Sequence, residues 1–323
     1  LEKRRNHVQL HSVSITLEDR IRGGIYGLLI GDALGVPYEF HSPESLPPQN
    51  LIELEPPGDF RRAHQSARRG AWSDDGAQAL CLLASLLQRG KLDLDDLGRR
   101  FVNWYEYGYM AVDNHVFDVG VQTAKAITLI RNGCPAEKAG STEEQALGNG
   151  ALMRVLPLAL WHTGSDDDLI SLAHKQSLLT HGHLRSQICC ALYCLWAREL
   201  MRGGDWSSAV ATLRYRYANN DAALAELEMH IRPEEDGKVT GGGYVVDCLR
   251  SAAYVMRHST YEDVVRSAVA LGNDTDTTAC VAGGVAGVRD GVAAIPERWM
   301  MGLAEKETVE PLVQALVEHR RHG

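Results

Sequence analysis

"TLEDRIRGGIYGLLIGDALG", residues 16–35, is the stretch on which the fold turns. Thr16 stands three residues before Asp19 as an N-cap, and Ile21, Ile25, Leu28 and Leu29 then recur at helical spacing. Gly23, Gly27, Gly31 and Gly35 lie four apart on one stripe of that helix. A helical glycine costs about 1 kcal/mol against alanine, so four in register predict that another backbone packs directly onto the stripe. A helix built to receive a second backbone belongs to a packed assembly of elements.

The remaining chain says what those elements are. Helix-periodic apolar stretches run over 76–89, 93–107, 118–132, 150–162, 166–179, 184–202, 206–217, 219–230, 243–257, 261–271, 277–290, 296–303 and 309–321, with short breaks between them. Alternating β-branched patterns are nearly absent. The expected fold is all-α, a compact single-domain multi-helix bundle over 17–323 with no internal repeat and no second-domain linker. Residues 1–16, polar and basic with little periodicity, read as an N-terminal extension outside that domain. The span 41–70 carries Pro43, Pro47, Pro48, Pro56 and Pro57 with Arg61, Arg62, Arg68 and Arg69. It reads as a long surface loop, its arginines a solvated face, and loops of that length in compact domains tend to be functional.

Composition narrows the function classes. A chain of 323 residues, 45% hydrophobic, can bury a substantial core, and its net charge of −9 argues against general attraction to nucleic acid or anionic membrane. The seven cysteines form no CxxC pair, and Cys81, Cys189, Cys190, Cys194 and Cys248 sit among apolar helical neighbours. They read as buried free thiols of a reducing cytosol. No leader pattern and no run of about 18 apolar residues is present, so a cytoplasmic monomer without membrane contact is expected.

Two acidic clusters carry the chemistry. In "WSDDGAQALCLLASLL" (72–87), Asp74 and Asp75 head an apolar helix. Asp75 three before Gln78 reads as a capping box, but a second adjacent acid adds repulsion, which a cation between them would relieve. In "LGNDTDTTACVAGGVAG" (271–287), Asn273, Asp274, Thr275, Asp276, Thr277 and Thr278 exceed the needs of one cap. Carboxylates alternating with hydroxyls are hard oxygen donors suited to Mg²⁺, Mn²⁺ or Ca²⁺, whereas zinc favours His and Cys. Two such helix starts facing across a cleft would hold two ions, and the helix dipoles favour the ionised acids. The "GNG" of 148–150, the "GGGY" of 241–244 and the "THGH" of 180–183 read on their own as a turn, a flexible loop, and histidines that lie at the surface or behind the residues of a site.

Taken in order, "GLLIGDALGVPYEF", "WSDDGAQALCLL", "GNGALMRVLPLAL", "LLTHGH", "GGGYVVDCLRSAAY" and "ALGNDTDTTACVAGGVAGVRDGVAAIP" resemble the ADP-ribosylglycohydrolase family, over about residues 17–303. The resemblance implies an all-α enzyme with two divalent cations, Mg²⁺ or Mn²⁺, held by Ser73, Asp74, Asp75, Asp274, Asp276 and Thr277. Ser73 stands where the family has Thr, and Gly76 where it has a second Thr. Glu39 matches an acid near the metals and the scissile bond, so Glu39 and Asp75 are the candidates for proton transfer. Asn149, Gly150, Met153 and Arg154 match the segment around ribose and diphosphate, and His181 a further contact there. Gly242, Gly243 and Tyr244 match the adenosine segment, and Asp118 a segment near the cleft, although Asp118 also reads as a plain N-cap.

The reaction so implied is hydrolysis of the bond between ADP-ribose and a modified protein side chain, arginine foremost, with serine and O-acetyl linkages as alternatives. Such cleavage passes through an oxocarbenium-like state and needs a positioned water and a carboxyl for proton transfer. The competing reading is an immunity or binding protein whose basic extension blocks an ADP-ribosyltransferase toxin, with or without hydrolysis.

Overall fold

Thr16 caps the first helix as its sequence predicts. Its Oγ1 accepts from the Asp19 amide at 3.1 Å while the Asp19 carboxylate accepts from the Thr16 amide at 3.0 Å, a closed capping box. The structure, a computed structural model, describes residues 15–235 and 237–322. Apart from Ile15 and Thr16, the basic extension lies outside the described residues.

Fourteen α-helices are found among the described residues: α1 (Leu17–Gly35), α2 (Asp74–Arg89), α3 (Leu94–Tyr107), α4 (Val121–Arg131), α5 (Leu156–Trp161), α6 (Asp166–Ser177), α7 (Leu184–Arg202), α8 (Trp206–Arg216), α9 (Asp221–Ala225), α10 (Val245–Val255), α11 (Tyr261–Ala270), α12 (Thr275–Asp290), α13 (Glu297–Gly302) and α14 (Lys306–His322). They form an all-α domain with no strand among the described residues, only two isolated bridges.

Three boundaries depart from the pattern-based expectation. The helix expected over 150–162 begins only at Leu156. Pro157 has no amide hydrogen and fits only a first turn, and the Gly150 carbonyl, which would have accepted from the amide of residue 154, accepts instead from the Arg154 guanidinium at 2.7 Å. The stretch expected over 219–230 is α9 followed by a π-helical turn, Glu226–Ile231. The stretch expected from 118 starts at Val121 behind Gly120, so Asp118, at φ +55°, is not the cap.

At the centre α1 lies against α12, and both are buried along nearly their whole lengths. The glycine stripe is the contact. A Cβ on Gly31 would come within 2.6 Å of the Ala279 carbonyl carbon, one on Gly23 within 2.8 Å of the Gly291 carbonyl carbon, and one on Gly27 would overlap the Gly283 carbonyl oxygen. Gly35 meets Asp276 and Gly23 meets Gly287, so the two helices run antiparallel. Around this pair, the Tyr261 hydroxyl of α11 donates to the Gly27 carbonyl (2.9 Å) and the Tyr193 hydroxyl of α7 to the Val281 carbonyl (2.8 Å). Cys81, Cys189, Cys190, Cys194, Cys248 and Cys280 are buried free thiols.

The 41–70 loop is tied down along its length. The Tyr38 hydroxyl donates to the Glu53 carbonyl (2.9 Å), the Glu53 carboxylate takes the Trp299 indole and two arginines, Arg266 and Arg298, and Ile52 and Leu54 are buried. Arg61, Arg68 and Arg69 face solvent, while Arg62 is half-buried.

Replacing Gly31 by alanine should therefore destabilise the protein by about 3 kcal/mol or more, the upper end of overpacking costs, because neither backbone can yield. Gly58→Ala, at a position with open space around it, is the control and should lie within about 0.5 kcal/mol of the parent in urea unfolding. Equal midpoints for the two variants would overturn the assignment of the stripe.

Candidate metal centre and cleft

Because α1 and α12 are antiparallel, the end of one helix meets the start of the other. The Thr275 hydroxyl donates to the Gly35 carbonyl at 2.8 Å. In the last turn of α1, the buried Asp32 carboxylate accepts from the Ser73 amide (2.9 and 3.0 Å) and from the Gly76 amide (2.8 Å), which holds the start of α2 at the same place. Thr277 of α12 then reaches Asp75 of α2, Oγ1 to Oδ1 at 3.3 Å. Two acid-bearing helix starts and one helix end converge on a single point.

Ser73, not Asp75, is the cap of α2, its Oγ accepting from the Asp75 amide at 3.3 Å. Gln78 closes no box with Asp75; its amide donates to Asp74 Oδ2 at 2.9 Å. A side chain at Gly76 would run within 2.8 Å of Leu29 and Trp72, so packing against α1 leaves no room there for the second hydroxyl residue that the resemblance leads one to expect.

Oxygens of Asp32, Asp75 and Asp276 lie within 4.8 Å of one another, and those of Glu39, Asp274 and Asp276 do the same, so Asp276 belongs to both groups. Asp75 Oδ2 and Asp276 Oδ2 are buried without a hydrogen-bond partner among the described residues. An unpaired buried carboxylate oxygen is costly, and several facing one another are more so. The carboxyls accordingly shift upward. Burial, then Asp118 and Asp32, raise Asp74; burial, then Asp32 and Asp74, raise Asp75; burial, then Glu39 and Asp118, raise Asp276. Glu39 is pushed to about 10 by burial and by the repulsion of Asp118, Asp274, Asp74 and Asp32. Orphaned oxygens in an all-oxygen donor set fit hard divalent cations.

This cluster forms one wall of a cleft of ≈ 1070 Å³. Glu39, Asp74, Asp118, Asp274 and Thr277 line the acidic side. The facing side is built from the start of α4 (120–125), the loop 138–150, Met153 and His181, with Lys125 and Lys138 among its residues. Loop-to-loop bonds tie it to the acids: the Asn149 amide donates to the Gly243 carbonyl (3.1 Å), the Asp274 amide to the Gly241 carbonyl (2.9 Å), and Asn149 Nδ2 to Asp274 Oδ2 (2.9 Å). A Cβ on Gly150 would lie 2.8 Å from His181 Cε1, and one on Gly243 3.1 Å from Asp274 Oδ2. The His181 ring is buried, and burial and Arg154 depress it to about 3, so it is neutral. The Gly242 amide is engaged by Asp247 at 2.7 Å. Tyr244 is 41% exposed, its hydroxyl accepting from Arg185 at 3.3 Å.

Arg154 sits elsewhere. It is fully buried beneath the cleft, its guanidinium donating to Gln176 Oε1, the Gln176 carbonyl, Gln78 Oε1 and the Gly150 carbonyl, with Phe101 5.0 Å below. Through Gln78 it supports Asp74 and does not line the cleft. Two residues that sequence reasoning passed over stand in the site. Asp32 was signalled by a lone acid inside "LLIGDALG"; His64, whose Nε2 lies 2.5 Å from Glu39 Oε2, had no such signal.

Residues 13–323 match the sequence profile of the ADP-ribosylglycohydrolase family. The chain is 29% identical to the ADP-ribosylarginine hydrolase Tri1 of Pseudomonas putida (strain GB-1), covering 93% of this chain and 78% of that protein. It is 28% identical to the ADP-ribosyl-[dinitrogen reductase] glycohydrolase of Rhodospirillum rubrum, covering 90% and 92%. A solved chain described as an ADP-ribosylglycohydrolase-related protein complex superposes with a TM-score of 0.74 at 32% identity, over 94% of this chain and 98% of that one.

The raised carboxyls make a stability prediction. An acid whose pKa is higher folded than unfolded contributes stability that is present below its unfolded pKa and lost as pH rises through the folded one. With Asp118 raised from 3.8 to about 6 and Asp32 from 3.8 to about 7, the metal-free protein should lose stability as pH rises from about 4 to about 7. At pH 7.5 Asp276→Asn should melt higher than the parent in chelator, and Mn²⁺ should raise the parent's midpoint while leaving the variant nearly unmoved. A parent that ignores Mn²⁺ in calorimetry would refute the metal centre.

Proposed function

The chain belongs to the ADP-ribosylglycohydrolase family, and on that premise we propose that it is a divalent-metal-dependent hydrolase that releases ADP-ribose from arginine side chains of modified proteins. The observation that carries the reading is the meeting of two Asp clusters, with unpartnered buried oxygens, at one wall of a cleft of ≈ 1070 Å³. Pockets for small ligands commonly run from about 300 to 1000 Å³, so the cleft has room for a nucleoside diphosphate sugar. The name of the P. putida relative supports arginine as the linkage.

Ser73, Asp74, Asp75, Asp274, Asp276 and Thr277 would hold two cations, Mg²⁺ or Mn²⁺. When bound, such ions supply Lewis acidity and lower the pKa of a coordinated water. The chain's own residues do the rest. Asn149, Gly150, Met153 and His181 shape the ribose and diphosphate side, where the glycines keep the wall open. The start of α4, which has no side-chain cap, offers backbone amides to an anion, and Lys125 and Lys138 add positive charge. Gly242, Gly243 and Tyr244 would flank the adenosine.

Glu39 has the environment of an acid that retains its proton at neutral pH, the form needed to protonate a departing guanidine nitrogen. Asp75, in the first turn of α2, would orient the attacking water. Asp118 faces the same corner and belongs with Glu39 in holding the leaving group. The free thiols support action in a reducing compartment such as the cytoplasm.

With Mg²⁺ or Mn²⁺ the protein should release ADP-ribose from ADP-ribosyl-arginine faster than from serine- or acetyl-linked substrates, and excess chelator should stop it. Asp74→Ala and Asp276→Ala should each cut turnover at least ~100-fold, the scale of lost metal-centred stabilisation, with the circular dichroism spectrum unchanged. Full turnover after confirmed metal removal would sink the mechanism, and preference for another linkage would move the substrate assignment.

A further inference from the structure

We propose that His64 is a positioning residue for Glu39, holding its carboxyl turned into the acidic wall; this rests on the reading that Glu39 acts at the scissile bond. Glu39 follows the short helical turn Val36–Tyr38 at the exit of α1, and its backbone neighbours are fixed. The Phe40 amide donates to the Asn273 carbonyl and the Asn273 amide to the His41 carbonyl, each at 2.7 Å. The side chain beyond that anchor has three rotatable bonds. Among the described residues its hydrogen-bond partner is His64, Nε2 to Oε2 at 2.5 Å.

The imidazole is itself held from several sides. Its ring packs against those of Phe40 (5.5 Å) and Phe117 (5.0 Å), and its Nε2 is also 3.9 Å from Asp118 Oδ1. The backbone is pinned on both flanks, the Ala63 amide donating to the Pro37 carbonyl (2.9 Å) and the Ala67 amide to the His64 carbonyl (2.8 Å). His64 adopts φ +44°, a conformation that a non-glycine residue takes at some cost and keeps where surrounding structure demands it. Phe40 and Asp118, which flank the same corner, also have positive φ, at +64° and +55°. The 41–70 loop, anchored at Glu53 and again where the Ala304 amide donates to the Gly70 carbonyl (3.0 Å), thus delivers one imidazole nitrogen to one carboxyl.

That nitrogen suits a group that gains and loses a proton during turnover. Nε2 donates to a carboxylate or accepts from a carboxylic acid according to tautomer, so contact with Glu39 persists in both forms. A glutamine at 64 keeps this ability, having both an amide donor and a carbonyl acceptor. An alanine keeps neither.

The test compares His64→Ala and His64→Gln with the parent on ADP-ribosyl-arginine in Mn²⁺. His64→Ala should lower kcat about 10–100-fold, the usual cost of losing a partner that orients an active group, with KM little changed. His64→Gln should recover most of that loss. In a crystal structure of His64→Ala the Glu39 carboxyl should have left the acidic wall, while the Mn²⁺-induced shift in melting temperature stays as in the parent. Parental kcat in His64→Ala, or Glu39 unmoved in its structure, would overturn the proposal, as would a His64→Gln variant as impaired as alanine. A parent inactive on every ADP-ribosyl linkage would instead overturn the assigned function, and the crystallographic comparison would still decide the role of His64.

Discussion

Direct backbone contact between α1 and α12 is the constraint from which the site follows. With side chains on the stripe, the helices would stand farther apart, and the Gly35 carbonyl could not accept from Thr275. The antiparallel sense matters as much as the distance. It puts the last turn of α1, with Asp32, beside the first turn of α12, with Asp276, and Asp32 in turn clamps the first turn of α2 by two backbone amides. The acids come together through backbone packing of α1 on α12 and through short, buried side chains, Asp32 and Thr275, that bond directly to backbone groups.

That convergence is electrostatically unfavourable, and the fold offsets only part of it. The starts of α2 and α12 point the positive ends of their dipoles at the cluster, and the amides of Ser73 and Gly76 satisfy Asp32. Arg154, a buried cation nearby, is linked to Asp74 by hydrogen bonds through Gln78. Two carboxylate oxygens, of Asp75 and Asp276, have no donor among the described residues. A protein that needed the cluster only for structure would gain by replacing Asp75 or Asp276 with a neutral residue, so the remaining imbalance is the mark of a ligand-binding wall.

Much of the fold and of the acidic wall was legible in the sequence, for identifiable reasons. The glycine stripe and the apolar periodicities are repeated signals, each residue reinforcing the next, and they led to α1, its backbone partner and the all-α bundle. Two dense acid clusters at helix starts are legible in the same way. What failed was single-residue detail. Asp75 looked like a cap because D-x-x-Q fits a capping box, but Ser73, two residues earlier, takes that role. Arg154 fell in a motif of cleft residues yet points away, because its buried guanidinium satisfies the Gly150 carbonyl, left free by the late start of α5, and the Gln176 carbonyl in the last turn of α6. His64 was invisible because its role depends on how a thirty-residue loop folds back, and nothing local in "RRAHQSARRG" encodes that path.

The two sides of the cleft are built differently, and this bears on how such an enzyme selects its substrate. The acidic wall stands on helix termini locked by main-chain contacts, so its geometry is set once the core has packed. The facing wall combines the start of α4 with the 138–150 loop, which is tied to the 241–245 segment where the Val245 amide donates to the Leu147 carbonyl at 2.9 Å. Glu39 and His64 lie where these two kinds of construction meet: Glu39 at the end of a core helix, His64 on a loop that wraps around to it. Changes in loop length or sequence can reshape the facing wall while leaving the acids in place, but changes in the 41–70 loop disturb the corner at Glu39, where His64 meets its carboxyl. The acidic wall and the facing wall are therefore structurally separable over most of the cleft and coupled at that one corner.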